Sequence, residues 1–387
     1  MYESKDNYFF NDDHLAFRDS VRRFVQKEVA PMADKWEEQG CYDKPIFKRM
    51  GDLGLLGIKY PVKYCGQEAD TRMNLVWMEE MCRCKALGFV MSLFVHTDMA
   101  SPSLNNVGTE EQKKKYLKGV CTGEKLMAVA MTEPNHGSDV ASIKTRAVLE
   151  GDYYRVNGTK TFITNGTQAD FINVIVRTGG PGVKGISLLL VDTNLSGFSV
   201  SKKFEKTGLL SSDTTELVFE DVKVPRENLL GKENQGFYAL MTGLESERLS
   251  LAVLAYMGAA MALDESLKYA RERIQFDRPI GNFQAIAHQL ADMATDVEAS
   301  KRLVYHAAQL YDSGVKCATE VSMAKVFAAE AACRVVANAV QIHGGYGYIR
   351  EYLVDRLYRD VRLFNIGGGT REIMRDIIAK EMGFRSR

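Results

Sequence analysis

Glu245 and Glu247 stand two residues apart in the run Gly243-Leu244-Glu245-Ser246-Glu247-Arg248-Leu249-Ser250-Leu251, where a long helical pattern begins. At about 100° per residue, Leu240, Leu244, Leu251, Leu254 and Gly258 share one narrow face. Glu247 falls inside that face and Glu245 projects to the opposite side. A carboxylate on the apolar side of a helix is costly unless paired, and desolvation lifts its pKa toward neutrality, where it serves as a general base. Glu247 is therefore expected to be dry and Glu245 solvated. From the helix alone a structural ion pair, with Arg248 as the adjacent candidate, competes with the catalytic reading.

The chain that must position these acids has 387 residues, 45% hydrophobic, with fifty basic and fifty acidic side chains. It is long enough for two or three domains. Its balanced charge supplies no overall field for nucleic acid or an anionic membrane. The seven cysteines are scattered, and Cys82-Arg83-Cys84 matches neither a zinc ribbon nor a thioredoxin-type spacing, so reduced thiols and no metal site are expected. The run Met1-Tyr2-Glu3-Ser4-Lys5-Asp6-Asn7 has no basic-then-apolar signal, and no window nears eighteen uncharged apolar residues. A cytoplasmic protein is the expectation.

Apolar residues recur at helical spacing from residue 11 to about 127, with Asn11 or Asp12 placed to cap the start and breaks at 51–57, Tyr60-Pro61 and Ser101-Pro102. From about 150 to 225 the period changes to two. Asn157-Gly158 between two short apolar runs reads as a hairpin turn, and residues 171–177, 185–192, 198–203 and 216–224 extend the pattern. Long helices return from 234 to 382, broken near 275–282, Ser313-Gly314, 343–348 and 365–369. The expected fold class is α+β multidomain: an N-terminal all-α domain (1–127), a middle, mostly antiparallel β domain (128–232) and a C-terminal four-helix-type bundle (233–387).

Five local motifs stand in one order along this scaffold: Met131-Thr132-Glu133-Pro134 with Gly137-Ser138-Asp139; Thr161-Phe162-Ile163-Thr164-Asn165-Gly166; 273–276 with Arg278; Gln341-Ile342-His343-Gly344-Gly345-Tyr346-Gly347; and Ile366-Gly367-Gly368-Gly369-Thr370. In that order, over nearly the whole chain, the sequence resembles the acyl-CoA dehydrogenases, a flavoprotein family. The resemblance implies FAD as cofactor, held by Met131, Thr132, Ser138, Phe162 and Thr164 around the flavin ring. For the pyrophosphate and adenosine it implies Arg273, Phe276, Gln284, Gln341, Gly344 and Gly345, partly across a subunit boundary, with Thr370 and Glu372 on the late loop. Phe162 stands where the family usually has tryptophan. Read without the family, Thr132 and Ser138 are turn residues, Phe162 a barrel-core aromatic and His343-Gly344-Gly345 an interhelical turn. Two departures are visible: Asp277 replaces a glycine after Phe276, and Asn135-His136 replaces Gly-Ala, giving a bulkier loop.

In much of the family the catalytic glutamate occupies the position of Gly368, which cannot abstract a proton. A minority branch, including isovaleryl-CoA and long-chain acyl-CoA dehydrogenases, places its base immediately before an arginine on the helix opening the terminal bundle. Here that is Glu247, before Arg248. The implied reaction is α,β-dehydrogenation of an acyl-CoA thioester to the trans-2-enoyl-CoA. Glu247 takes the α proton, the β hydrogen leaves as hydride to flavin N5, and the amide at Gly368 supports the thioester carbonyl. Ser138, Arg248, Phe89 and Phe94, with Met91 and His96, are the expected substrate side, an electron-transfer flavoprotein the acceptor and a homotetramer the assembly. An oxidase, a dehydrogenase of carrier-bound acyl groups and a flavin-binding paralogue without catalysis are the alternatives.

Overall fold

The first described helix, α1 (Asp12–Phe24), begins where its capping chemistry requires: the Asn11 side chain accepts from the His14 amide at 3.0 Å and His14 Nδ1 accepts from the Asn11 amide at 3.2 Å. The computed structural model describes residues 9–384, so the reading of the first seven residues and the outer ends of the first and last domains lie outside the described residues. Helices dominate up to residue 121. The break expected at Ser101-Pro102 is absent. Helix α2 (Leu87–Phe94) runs into a π-helical segment, Val95–Ala100, and then into Ser101–Val107. Pro102 falls in the first turn of that last piece, where a missing N–H costs least, and the wider turn before it absorbs the change.

The middle of the chain forms one eight-stranded sheet in the order β6-β7-β3-β2-β4-β5-β8, with β1 (Met127–Ala130) lying parallel on β4. The others are β2 (Arg146–Glu150), β3 (Tyr153–Ile163), β4 (Phe171–Arg177), β5 (Ile186–Asp192), β6 (Phe198–Lys203), β7 (Thr215–Pro225) and β8 (Leu229–Leu230). One further parallel step joins β2 to β4; the remaining pairings are antiparallel. β4 is buried on both faces, which is why it reads as a nearly continuous apolar run. Phe171 and Ile175 pack with Leu104, Tyr116 and Leu117 of the helical domain, while Ile172, Val174 and Val176 pack with Val156 and Leu189 within the sheet.

Asn157-Gly158 is not a turn. β3 passes straight through it with a bulge against β7, Gly158 has φ +149°, and a Cβ there would meet Thr145 at 2.6–2.8 Å. Asn157 exchanges hydrogen bonds with Asp221 across the bulge, at 3.0 and 2.9 Å. The hairpin closes earlier, at Gly151, which has φ +61°.

The last third is helical. A short helix, α3 (Gly236–Met241), precedes α4 (Leu244–Glu272), so Leu240 belongs to a separate element from the other members of its supposed stripe. Then follow α5 (Gln284–Asp312), α6 (Ala318–His343), α7 (Leu353–Asp360) and α8 (Arg371–Glu381). By length and composition α4 is apolar enough to cross a membrane, yet 83% of its most apolar stretch is buried inside the protein, which makes it the central core helix. Between α4 and α5 lies a hairpin of β9 (Ile274–Gln275) and β10 (Arg278–Pro279). Its two turn residues, Phe276 and Asp277, have φ of +52° and +60°. Asp277 thus fills a left-handed position that glycine fills without strain, at a cost aspartate bears better than most residues.

Candidate active site

Glu247 sits in the first turn of α4, its amide bonded to Gly243 O at 3.1 Å. Opposite it is the turn at 367–370, where Gly368 has φ +63°. A Cβ built on Gly368 would lie 3.3 Å from Glu247 Oε1 and 2.1 Å from Leu251 Cδ1. The two segments therefore bring their side-chain directions to one point. The Gly368 N–H has no acceptor among the described residues.

Burial raises the Glu247 carboxyl above its ordinary value, while the charges of Arg248 and Lys325 hold it down. Glu247 is half-buried as a residue, and its Oε1 lies toward Gly368. Arg248 is buried, burial pushes its pKa down, and its Nε has no partner. Glu247 and Arg248 form no ion pair within 4.0 Å, so the structural ion pair expected as the alternative does not form.

Glu245 departs from expectation. It is half-buried and its pKa is also raised by burial. Its charge acts on Tyr311 at the end of α5 and on Cys317 before α6. The far side of α4 is covered by that corner, which a helical projection of α4 alone does not reveal.

The loop after β1 is pinned from below. Lys160 Nζ donates to Glu133 Oε1 and to Met131 O, both at 2.9 Å, and the amides of Lys144 and Thr145 donate to the same carboxylate at 2.6 and 2.8 Å. Burial pushes Lys160 down to about 8 against the pull of Glu133. Burial works to raise Glu133, but Lys160 and the hydrogen bonds outweigh it and leave it below the usual range. Above this pair, Glu133 and His136 exchange backbone bonds at 3.0 and 3.1 Å, and the Thr161 amide donates to Thr132 O at 2.9 Å. His136 Nε2 is shielded and unpartnered. In the sequence Glu133 stands inside its motif without a role and Lys160 goes unremarked; the available signal was a lysine on the same period-two face as Tyr154 and Val156 near a strand end.

Phe162 follows at a second bulge in β3, with φ +60° and 65% of its surface exposed. It is therefore not a core aromatic. Its ring leans on Phe204, centroids 5.3 Å apart. Met131, Thr132 and Thr164 are half-buried and Ser138 is exposed. An outward-facing ring in a strained backbone, next to the Thr161 amide that bonds Thr132 O, suits stacking on a planar heterocycle.

A separate groove of about 430 Å³ is lined by Tyr269, Arg273, His343, Gly344, Gly345 and Tyr346, among others. It unites Arg273 with the two glycines, whose faces meet nothing within 4 Å. The Arg273 guanidinium lies 5.7 Å from the Tyr346 ring centroid. Gln341 and Gln284 are exposed, and Phe276 is 86% exposed at the hairpin tip. Thr370, the last residue of the Gly368 turn, caps α8 by accepting from the Ile373 amide at 3.3 Å, and exposed Glu372 lies not on the late loop but in the first turn of α8, where it pairs with Arg371. Met131, Thr132, Ser138, Phe162 and Thr164 do not line the groove, so within one chain the expected cofactor residues form two groups.

Phe89 and Phe94 do not line an open pocket. Both are fully buried: Phe89 packs on Trp36 at 4.7 Å between centroids and Phe94 on Trp77 at 5.4 Å, in the core of the helical domain. α2 is apolar except for Ser92, which is itself buried, so it carries no exposed polar face by which its pocket side could be chosen from sequence. Met91 is buried too, and His96 is structural: its ring nitrogens meet Val120 O at 3.1 Å and the Met127 amide at 3.0 Å, and burial pushes it down to about 4. Lys325, by contrast, was missed and is part of the site. It is buried on α6 and donates to Gly369 O at 2.6 Å.

Three family models match consecutive parts of this chain: Acyl-CoA dehydrogenase, N-terminal domain over 11–124, middle domain over 128–222 and C-terminal domain over 234–383. The chain is 43% identical over 375 residues to the 3-(aryl)acrylate reductase of Clostridium sporogenes, covering 97% of this chain and 99% of that one. It is also 43% identical to the caffeyl-CoA reductase-Etf complex subunit CarC of Acetobacterium woodii, covering 96% and 98%. Among solved structures, an acyl-CoA dehydrogenase from Geobacillus kaustophilus superposes with TM-score 0.94 at 41% identity, covering 97% and 99%.

Proposed function

This chain belongs to the acyl-CoA dehydrogenase family, and from that premise we propose that Glu247 is the base of an α,β-dehydrogenation converting an acyl-CoA thioester to its trans-2-enoyl thioester. The observation that carries the reading is the 3.3 Å between Glu247 Oε1 and the point where a Gly368 side chain would begin. The family's two base positions thus share one target, and here only one holds a carboxylate. Bound FAD supplies the acceptor for the β hydrogen.

The chain's own residues do the rest. A thioester acidifies its α carbon, and the free Gly368 N–H is suited to stabilise the enolate-like oxygen. Glu247, lifted by burial but kept ionisable by Arg248 and Lys325, accepts the α proton. Phe162, Thr132, Ser138 and Thr164 are proposed to hold the flavin ring, and Arg273, Gln341, Gly344 and Gly345 the pyrophosphate and adenosine. Since these two groups are separate within one chain, the site is proposed to be completed across a homotetramer interface. Exposed Tyr348, Ile366, Met382 and Phe384 give the last third apolar surface to bury there. An electron-transfer flavoprotein is the proposed partner, in line with the Etf complex named for the Acetobacterium relative. Cytoplasm is the proposed compartment, in keeping with seven free cysteines.

The reductases among the relatives favour a second direction, saturation of a conjugated enoyl thioester by the same groups in reverse. Anaerobic flavin bleaching against a panel of saturated acyl-CoA esters, and reoxidation of the reduced protein by enoyl esters, separates the two. Glu247→Gln is expected to lose both while retaining FAD. Undiminished bleaching in that variant would refute the assignment of the base.

A further inference from the structure

The 367–370 turn contains two left-handed glycines, Gly368 at φ +63° and Gly369 at +90°. Backbone this permissive does not by itself hold an amide in register with a carboxylate on another helix. The tether comes from α6. Lys325 lies in the apolar run Ala324-Lys325-Val326-Phe327-Ala328-Ala329, is 1% exposed, and places Nζ 2.6 Å from Gly369 O. It has no ion pair within 4.0 Å among the described residues, although a buried ammonium is costly without one. The charges that act on it are Arg248 and Glu247 of α4 and Glu372 of α8. Those acting on Glu247 are Arg248 from its own helix and Lys325 from α6. Arg248 thus feels the charge of both Glu247 and Glu245, whereas Lys325 bonds the turn and its charge acts on Glu247.

Resting on the reading of Glu247 as the base, we propose that Lys325 is a positioning residue that holds the 367–370 turn against Glu247 through Gly369 and uses its charge to favour the carboxylate form of Glu247. A neutral donor at this position would keep the hydrogen bond and lose the charge. An arginine would keep the charge and lose the fit to a single carbonyl.

The test follows the Glu247 carboxyl by infrared difference titration, its band identified by its loss in Glu247→Gln, together with the pH profile of anaerobic flavin reduction. In Lys325→Gln, both the titration midpoint and the acid limb of the profile should rise by about one pH unit. In Lys325→Arg, the midpoint should stay at the parent value while the reduction rate falls severalfold. A FAD-loaded Lys325→Gln protein that is merely less heat-stable, with an unmoved midpoint, overturns the proposal. Should Lys325→Gln not fold, Lys325→Arg decides alone, since a displaced midpoint with the parent rate is the opposite of what is expected. Failure of the underlying reading shows separately, as parent-rate flavin reduction in Glu247→Gln.

Discussion

At the scale of single residues, Glu247 and Glu245 make the sharpest comparison, because both are half-buried and both are raised by burial, yet only Glu247 faces Gly368. Glu247→Gln keeps shape and removes proton-accepting power, so stopped-flow flavin reduction should fall by about 10²–10⁴-fold; Glu245→Gln should stay near the parent rate. Because burial raises the Glu247 pKa, reduction is expected to be lost as pH falls through a value above the ordinary glutamate range of about 4.5. A limb at or below that range contradicts the cause assigned. Moving the carboxylate to the turn meets two obstacles: Gly368 is left-handed, and its Cβ would collide with Leu251 Cδ1 at 2.1 Å. Gly368→Glu in the Glu247→Gln background should therefore restore turnover only when Leu251→Ala is added. Equal rescue with Leu251 intact would show that the turn relaxes more than its backbone suggests.

At the scale of elements, the buried Lys160–Glu133 pair joins the loop after β1, proposed to hold the flavin, to β3, and breaking a buried pair leaves an uncompensated charge. Lys160→Met should lower stability by about 3–5 kcal/mol and weaken FAD retention, read by thermal unfolding and by FAD titration of the apoprotein. Retained FAD affinity alongside the stability loss would confine the pair to a purely structural role. The bulges on β3 show why strand chemistry was only half legible. The alternation of residues 153–163 named a strand region, but Asn157-Gly158 suits a bulge as well as a turn, and only pairing with β7 decides between them. The π-helical segment before Pro102 is similar: a proline signals an interruption, and the packing around it decides whether the helix stops or widens.

At the scale of the whole molecule, the three parts meet at a buried carboxyl. Asp360 of α7 accepts from the Leu209 amide of the middle part at 2.5 Å, lies near Glu37 of the first part, and has an unpartnered Oδ2. Burial first, then Glu37, pushes it up to about 7. A carboxyl raised on folding contributes stability that is complete below its unfolded value of 3.8 and is lost as pH rises through about 7. Asp360→Asn should thus gain on the parent with rising pH over that window, by at most about 1.4 kcal/mol per pH unit, as read by thermal unfolding at several pH values. A constant difference would argue against the junction as the source. Light scattering of the FAD-loaded protein should give a tetramer, and a monomer that holds FAD would contradict a shared site. The sequence by itself determined the three-part order, because period and turn residues are local, and it singled out Glu247 and the missing carboxylate at Gly368. It also named Phe162 and the Arg273, Gly344 and Gly345 set. Only the tertiary structure decided that Glu247 and Gly368, 121 positions apart, face one point, that Lys325 and Lys160 are buried beside the site, and that Phe89 and Phe94 are core. Burial and proximity between distant segments depend on how α4, α6 and the late turn pack together, and no periodicity within one segment carries that information.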